Sequence, residues 1–233
     1  MFIQFFLMMV FSAVVLKPLN AQTDLPLTYL WKPKYYASVE GQERLTYARS
    51  FARSQMKFAD LDGDDDMDLL IGKGDGRLAL FRNLGNPKES NLRLETEDFE
   101  VIHEEKDANQ QLMYLNKIVD VGKNAAPDLA DIDDDGDLDL FVGSSDGQIF
   151  FFENRGNKLL PKFFRVTPIY MNLNFVGNSV PRFADLNGDL AKDLIVGLKD
   201  GRVMIYFNSG VSTNALFCNC LLYTSDAADE SSS

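Results

Sequence analysis

Three segments of this chain, 60–85, 131–156 and 185–210, align with one another without a gap, and this self-similarity limits the fold more than any other property of the sequence. All three carry Asp at the first, fifth and ninth positions, then Leu69/Leu140/Leu194 and Gly72/Gly143/Gly197. The pairs Asp75-Gly76, Asp146-Gly147 and Asp200-Gly201 follow, then Asn83/Asn154/Asn208 and, two residues on, Gly85/Gly156/Gly210. Fixed spacing of this kind marks one supersecondary unit used repeatedly. The units start 71 and 54 residues apart. These periods suit a four-stranded unit and match no common helical repeat. The longer first interval implies an excursion of about 17 residues, expected at the polar stretch 87–111 as a protruding loop.

Each unit reads as β-structure. Leu69-Leu70-Ile71, Leu140-Phe141-Val142 and Leu194-Ile195-Val196 are short apolar runs. Each leads through a glycine to an Asp-Gly pair, which suits a tight hairpin turn with positive φ. The second strands, Leu78–Phe81, Ile149–Phe152 and Val203–Phe207, are apolar on both faces rather than alternating. Sheets built from them should therefore be covered on both sides. The Asp-Gly aspartates are turn formers in this reading. A prelude recurs before the second and third acidic stretches, Val121-Gly122 with Pro127 and Val176-Gly177 with Pro181, and is absent from the first unit.

The chain has 35 acidic and 23 basic side chains, a net charge of −12, and this balance is concentrated in three places. The stretches 60–68, 131–139 and 185–193 hold 15 aspartates and one base, Lys192, so the remainder of the chain is close to neutral. A generic acidic surface is not arranged this way. Loop two, Asp131 to Asp139, places oxygen-bearing side chains at positions 1, 3, 5 and 9 and a glycine at 6. Calcium takes six to eight oxygens at about 2.3–2.6 Å, and alternate residues of a curled loop can supply them. Two carboxylates about 5 Å apart repel by roughly 3 kcal/mol at an effective dielectric of 20. A bound cation removes that repulsion and favours the native state. An EF-hand needs an acidic ligand at position 12 between helices. Here position 12 is Ile71, Val142 or Val196, inside an expected strand.

The motifs Phe58-Ala-Asp-Leu-Asp-Gly-Asp, Leu129-Ala-Asp-Ile-Asp-Asp-Asp-Gly-Asp-Leu-Asp-Leu-Phe-Val-Gly and Phe183-Ala-Asp-Leu-Asn-Gly-Asp resemble the FG-GAP/VCBS family of calcium-binding β-propeller repeats, also seen in integrin α-chain propellers. The resemblance covers most of 56–210, with units starting near 56, 127 and 181. It implies an all-β fold, a partial β-propeller of four-stranded blades with Asp-rich calcium loops. The ligands it implies are Asp60, Asp62, Asp64 and Asp68; Asp131, Asp133, Asp135 and Asp139; and Asp185, Asn187, Asp189 and Asp193. Asp66, Asp137 and Ala191, at the seventh position, would add a main-chain carbonyl. Leu190 stands where loop two has Gly136, and a branched apolar residue resists positive φ. The sites therefore rank with loop two strongest, loop one next and loop three weakest.

Residues 2–16 form an almost unbroken apolar run, too short for a membrane span and suited to a secretory signal peptide over 1–21, with Gln22 as first mature residue. That reading places the mature chain, with no membrane span, outside the cell, where calcium is abundant. Cys218 and Cys220, the two cysteines, are too close together to form a framework of cross-links. From Cys220 the sequence resembles translated adapter sequence at the ends of metagenomic gene calls. Residues 218–233 are thus expected to be a non-native or disordered tail to a propeller over 22–217, with the gene continuing beyond it.

The acidic balance argues against nucleic-acid binding, which needs a basic stripe. Catalysis has little support: the single histidine, His103, reads as an exposed loop residue, and no nucleophile elbow, phosphate-cradling loop or thiolate–zinc spacing is present. The leading expectation is a secreted, calcium-binding adhesion or scaffold module for a protein or glycan ligand. The alternative is part of a calcium-assisted propeller enzyme acting on extracellular polysaccharide. Trp31, Tyr35 and Tyr36, beside Lys32 and Lys34, read as an apolar edge ahead of a sugar-stacking site.

Overall fold

The computed structural model describes residues 54–86, 90–167, 169–209 and 215–223, with backbone alone from 218, and the backbone of two short strands, β1 (Tyr36–Val39) and β2 (Gln42–Leu45). The expected signal peptide, Trp31, Tyr35 and the tail beyond 223 lie outside the described residues. The chain divides into two units, Met1–Ser50 and Phe51–Ser233. In the first, β1 and β2 form an antiparallel pair.

The second unit is all-β. Its first sheet runs β3 (Gln55–Ala59), β4 (Asp68–Gly72), β5 (Leu78–Asn83), β6 (Leu92–Thr96), each strand antiparallel to the next. Then come β7 (Glu100–Lys106) and β8 (Leu112–Ile118), a hairpin. Next are β9 (Ala126–Ala130), β10 (Asp139–Gly143), β11 (Ile149–Asn154) and β12 (Phe163–Thr167). The hairpin joins these in a six-stranded sheet of order β8-β7-β12-β11-β10-β9, with β7 parallel to β12 at Ile102 and Phe164. After a 3-10 turn at Tyr170–Asn172, β13 (Ser179–Ala184), β14 (Asp193–Leu198), β15 (Val203–Asn208) and β16 (Phe217–Tyr223) form the third sheet.

The stretch 87–111 is thus not a loop. It supplies β6, which completes the first sheet, and β7, and the extra length of the first interval is the β7–β8 hairpin. Polar composition concealed β6 and β7 because Arg93, Glu95, Glu104, Glu105 and Lys106 face solvent. β16 occupies part of the stretch expected to be a tail, pairing with β15 from Phe217 to Tyr223.

The strands that read as apolar on both faces are covered on both faces. In β10, Leu140 and Val142 enter a core with Leu70, Leu78 and Leu80 of the first sheet. Phe141 enters a second core with Leu194 and Val196 of the third sheet. Its ring lies 4.3 Å from Phe183, 4.8 Å from Phe151 and 5.0 Å from Tyr170, centroid to centroid. Burying a side chain of this size contributes about 1.5–3 kcal/mol. The Asp-Gly pairs close the β4–β5, β10–β11 and β14–β15 hairpins, and Asp75 and Asp200 each accept the amide two residues on.

The prelude before the second and third units is where successive sheets meet. Ala125 donates its amide to the Lys73 carbonyl, and Ser179 to that of Ser144. Such close approach leaves no room for a side chain at the facing glycine. A Cβ on Gly72 would lie 2.0 Å from the Ala125 oxygen, and one on Gly143 2.1 Å from that of Ser179.

Candidate metal centres

Each acidic loop is wound around its own first aspartate. Asp60 accepts amide hydrogen bonds from Gly63 (2.7 Å) and Asp65 (3.2 Å), Asp131 from Asp135 (3.2 Å) and Gly136 (3.1 Å), and Asp185 from Gly188 (2.7 Å) and Leu190 (3.0 Å). The fifth-position carboxylates of Asp64, Asp135 and Asp189 accept the amides of residues 66, 137 and 191. Winding this tight requires positive φ at two places in every loop, whatever residue stands there. Position 4 has φ of 74°, 60° and 81° at Gly63, Asp134 and Gly188, and position 6 has 68°, 92° and 73° at Asp65, Gly136 and Leu190. The sequence exposed the demand at position 6 but not at position 4. Leu190 meets it by pointing into solvent, 84% exposed, so its strain is not repaid by packing. The left-handed conformation costs a non-glycine residue about 1–2 kcal/mol. Leu190→Gly is therefore expected to raise the melting temperature by a few degrees. A thermal melt showing a decrease contradicts this.

The winding gathers carboxylates. Ligand atoms of Asp60, Asp62 and Asp64 lie within 4.8 Å of one another, as do those of Asp131, Asp133 and Asp135. Loop three has Asn187 at the third position, and its amide donates to Asp189 at 2.9 Å. Within the acidic loops, buried oxygens with no hydrogen-bond donor remain at Asp62, Asp66, Asp133, Asp137 and Asp139. Asp66 and Asp137 are 2% and 7% exposed, so the seventh position buries side chains the sequence had assigned only a carbonyl role. Ala191, the counterpart in loop three, is likewise buried.

The ninth-position aspartates have a different setting. Asp68, Asp139 and Asp193 are buried under the loops, and each accepts the amide of its repeat's asparagine, Asn83 (2.7 Å), Asn154 (2.8 Å) or Asn208 (2.8 Å). Asp68 and Asp193 also accept the amides of Leu61 and Leu186. The asparagines in turn accept the amides of Asn91, Lys162 and Leu216. The Asp and Asn columns of the repeat therefore form one internal network that fixes the base of each loop.

The three loops differ in the cations the chain itself provides. In loop one, Lys158, from the β11–β12 connection, lies 3.1 Å from Asp60 and 3.4 Å from Asp65. Arg82 lies 2.7 Å from Asp68 and 3.5 Å from Asp62. Burial opposes ionisation of Asp60, but Lys158 and the Gly63 and Asp65 amides outweigh it and lower its pKa. Among the described residues no ion pair reaches Asp131, Asp133, Asp135, Asp137 or Asp139. Sequence reasoning missed Lys158 because 93 residues separate it from Asp65.

Loop two bears the electrostatic consequence. Burial, followed by the charges of Asp135, Asp133 and Asp131, pushes Asp137 up to about 6. Burial pushes Asp139 up to about 7 against the Asn154 amide. Burial likewise raises Asp62, Asp66 and Asp133. Such groups bind protons more tightly folded than unfolded, so their contribution to stability is full below the unfolded pKa and lost as pH rises through the folded one. Metal-depleted protein is expected to lose melting temperature between about pH 4 and pH 7, and Asp137→Asn to flatten that slope. Melts that rise over this interval contradict it.

His103, expected in an exposed loop, sits half-buried in β7, its pKa lowered by burial, Arg165 and Lys117. Among the described residues no helix is long and apolar enough to cross a membrane. A protein-family model for the FG-GAP-like repeat matches residues 131–196, from the first aspartate of loop two into β14. No curated protein and no solved structure matches the chain.

Proposed function

We propose that the FG-GAP-like repeats of this chain are calcium-binding blades of a β-propeller, acting outside the cell as a binding, adhesion or scaffold module for a protein or glycan. The observation that carries the reading is the set of buried carboxylate oxygens without donors at Asp62, Asp66, Asp133, Asp137 and Asp139, beside two gathered aspartate trios. Buried anions without partners are costly, and a hard, oxygen-seeking divalent cation supplies what they lack. The residues that would hold it are Asp131, Asp133, Asp135, Asp137 and Asp139 in loop two; Asp60, Asp62, Asp64, Asp66 and Asp68 in loop one; and Asp185, Asn187, Asp189, Ala191 and Asp193 in loop three. Loop two, which has no internal cation, binds tightest. Loop one competes with Lys158 and Arg82, and loop three lacks two of the five carboxylates, at Asn187 and Ala191, and carries the strain of Leu190. Three four-stranded meanders, β3–β6, β9–β12 and β13–β16, the second and third each docked on the one before through a Gly–Pro prelude, support the blade arrangement. The apolar segment at residues 2–16 supports export.

Calcium at a hundredfold excess over Kd is expected to stabilise the chain by about 2.7 kcal/mol per site. Calorimetric titration with calcium, repeated on Asp133→Asn/Asp135→Asn, is expected to lose the tightest site. A melting temperature unchanged by EDTA would sink the proposal for all three loops.

A further inference from the structure

β8 is the outer edge of the six-stranded sheet, and no described strand pairs with its free side. Six of its seven residues are exposed, a pattern no other strand with described side chains shares. Leu112, Met113, Tyr114 and Ile118 are all large, apolar and at least 39% exposed, and they fall on both faces. Natural edge strands guard against pairing with charge, proline or a bulge. β6, an edge of the first sheet, shows such protection, with exposed Arg93 and Glu95 alternating with half-buried Leu92, Leu94 and Thr96. β8 has a single charge, Lys117, already ion-paired to Glu105 of β7.

We propose that β8 is a dimerisation strand, pairing antiparallel with β8 of a second copy of this chain about a two-fold axis at Leu115. That axis places Leu115 opposite its own copy, Leu112 opposite Ile118, Met113 opposite Lys117 and Tyr114 opposite Asn116. Within the hairpin, Met113 already faces Glu105 and Lys117 faces Val101. Each cross-dimer row on that face therefore reads Val101, Lys117, Met113, Glu105, with the last two from the second copy. One apolar residue separates Lys117 from the carboxylate of the other chain, and no like charges meet at the seam. The Lys117–Glu105 ion pairs of the two copies thus face each other across the seam with opposite charges nearest, and self-pairing is favoured over a partner peptide of unrelated sequence. A parallel arrangement would align the two lysines instead.

Sedimentation of the full chain across a concentration series is expected to show a reversible dimer. Met113→Lys sets lysine against Lys117 across the seam while facing Glu105 in its own hairpin, so the monomer keeps its fold and the dimer Kd rises by at least about tenfold. Met113→Lys/Lys117→Met removes the opposed charges and is expected to restore association. Leu115→Cys, at the axis, is expected to form a disulfide-linked dimer under mild oxidation that the wild type, with only Cys218 and Cys220, does not form. A monomer up to millimolar concentration, association unaffected by Met113→Lys, or cross-linking no greater than wild type would each overturn the proposal.

Discussion

Gly143→Ala is expected to lower the melting temperature of this chain by about 6–12 °C, corresponding to about 3 kcal/mol in a unit of this size. One methyl has this effect because of what faces it. The new Cβ would sit 2.1 Å from the Ser179 carbonyl oxygen and 2.7 Å from Pro181 Cδ, and neither a backbone oxygen nor a proline ring can rotate away. Ser179 is held in place by its own bonds: its amide donates to the Ser144 carbonyl at 3.0 Å and its hydroxyl to that of Gln148 at 2.7 Å. Relief requires the third sheet to move off the second, opening the core around Phe141. Gly72→Ala meets Ala125 in the same way, with the oxygen at 2.0 Å. Gly197→Ala is the matched control. It occupies the same position of the repeat, but among the described residues its Cβ would meet only Val180, at 3.9 Å. If all three variants melt together, inter-sheet docking is not what these glycines serve.

The second large effect concerns Lys57 and Asp128, which occupy the same position of successive units. Asp128 is fully buried in β9. One oxygen lies 2.5 Å from the Lys57 ammonium of the first sheet, and the other accepts the Phe183 amide of the third at 2.7 Å. A single carboxylate therefore ties three sheets together. Lys57→Met leaves that carboxylate buried with one neutral donor and is expected to cost about 3–5 kcal/mol, the range for stranding a buried charge. Asp128→Asn should cost less, because Lys57 is 26% exposed and can turn to water, while the new amide oxygen can still accept from Phe183. Chemical denaturation of both single variants and the double variant measures this. A smaller loss in Lys57→Met than in Asp128→Asn contradicts the assignment.

Much of the fold was legible in the residues. The register of the repeat located β4, β5 and their counterparts to within a residue or two, because Asp-Gly turns and apolar runs report on neighbours close in sequence. The acidic loops were legible for the same reason, with the gathering of carboxylates at positions 1, 3 and 5 following from alternation along a curled backbone. Three matters were hidden. The role of Asp68, Asp139 and Asp193 as anchors for the asparagine amides depends on a residue 15 positions away across a strand pair. The cations in loop one arrive from other strands and another repeat. β6 and β7 interleave charged residues with their few apolar ones, so the polar composition of 87–111 read as a loop.

The sequence by itself determined the repeating unit, its β character and the concentration of negative charge in three short loops, since each arises from local spacing and side-chain chemistry. Only the tertiary structure decided which loop receives internal cations, which glycine faces a neighbouring carbonyl and which strand keeps an open edge. Those depend on the stacking of one sheet upon the next, where residues far apart along the chain share a few ångströms of space.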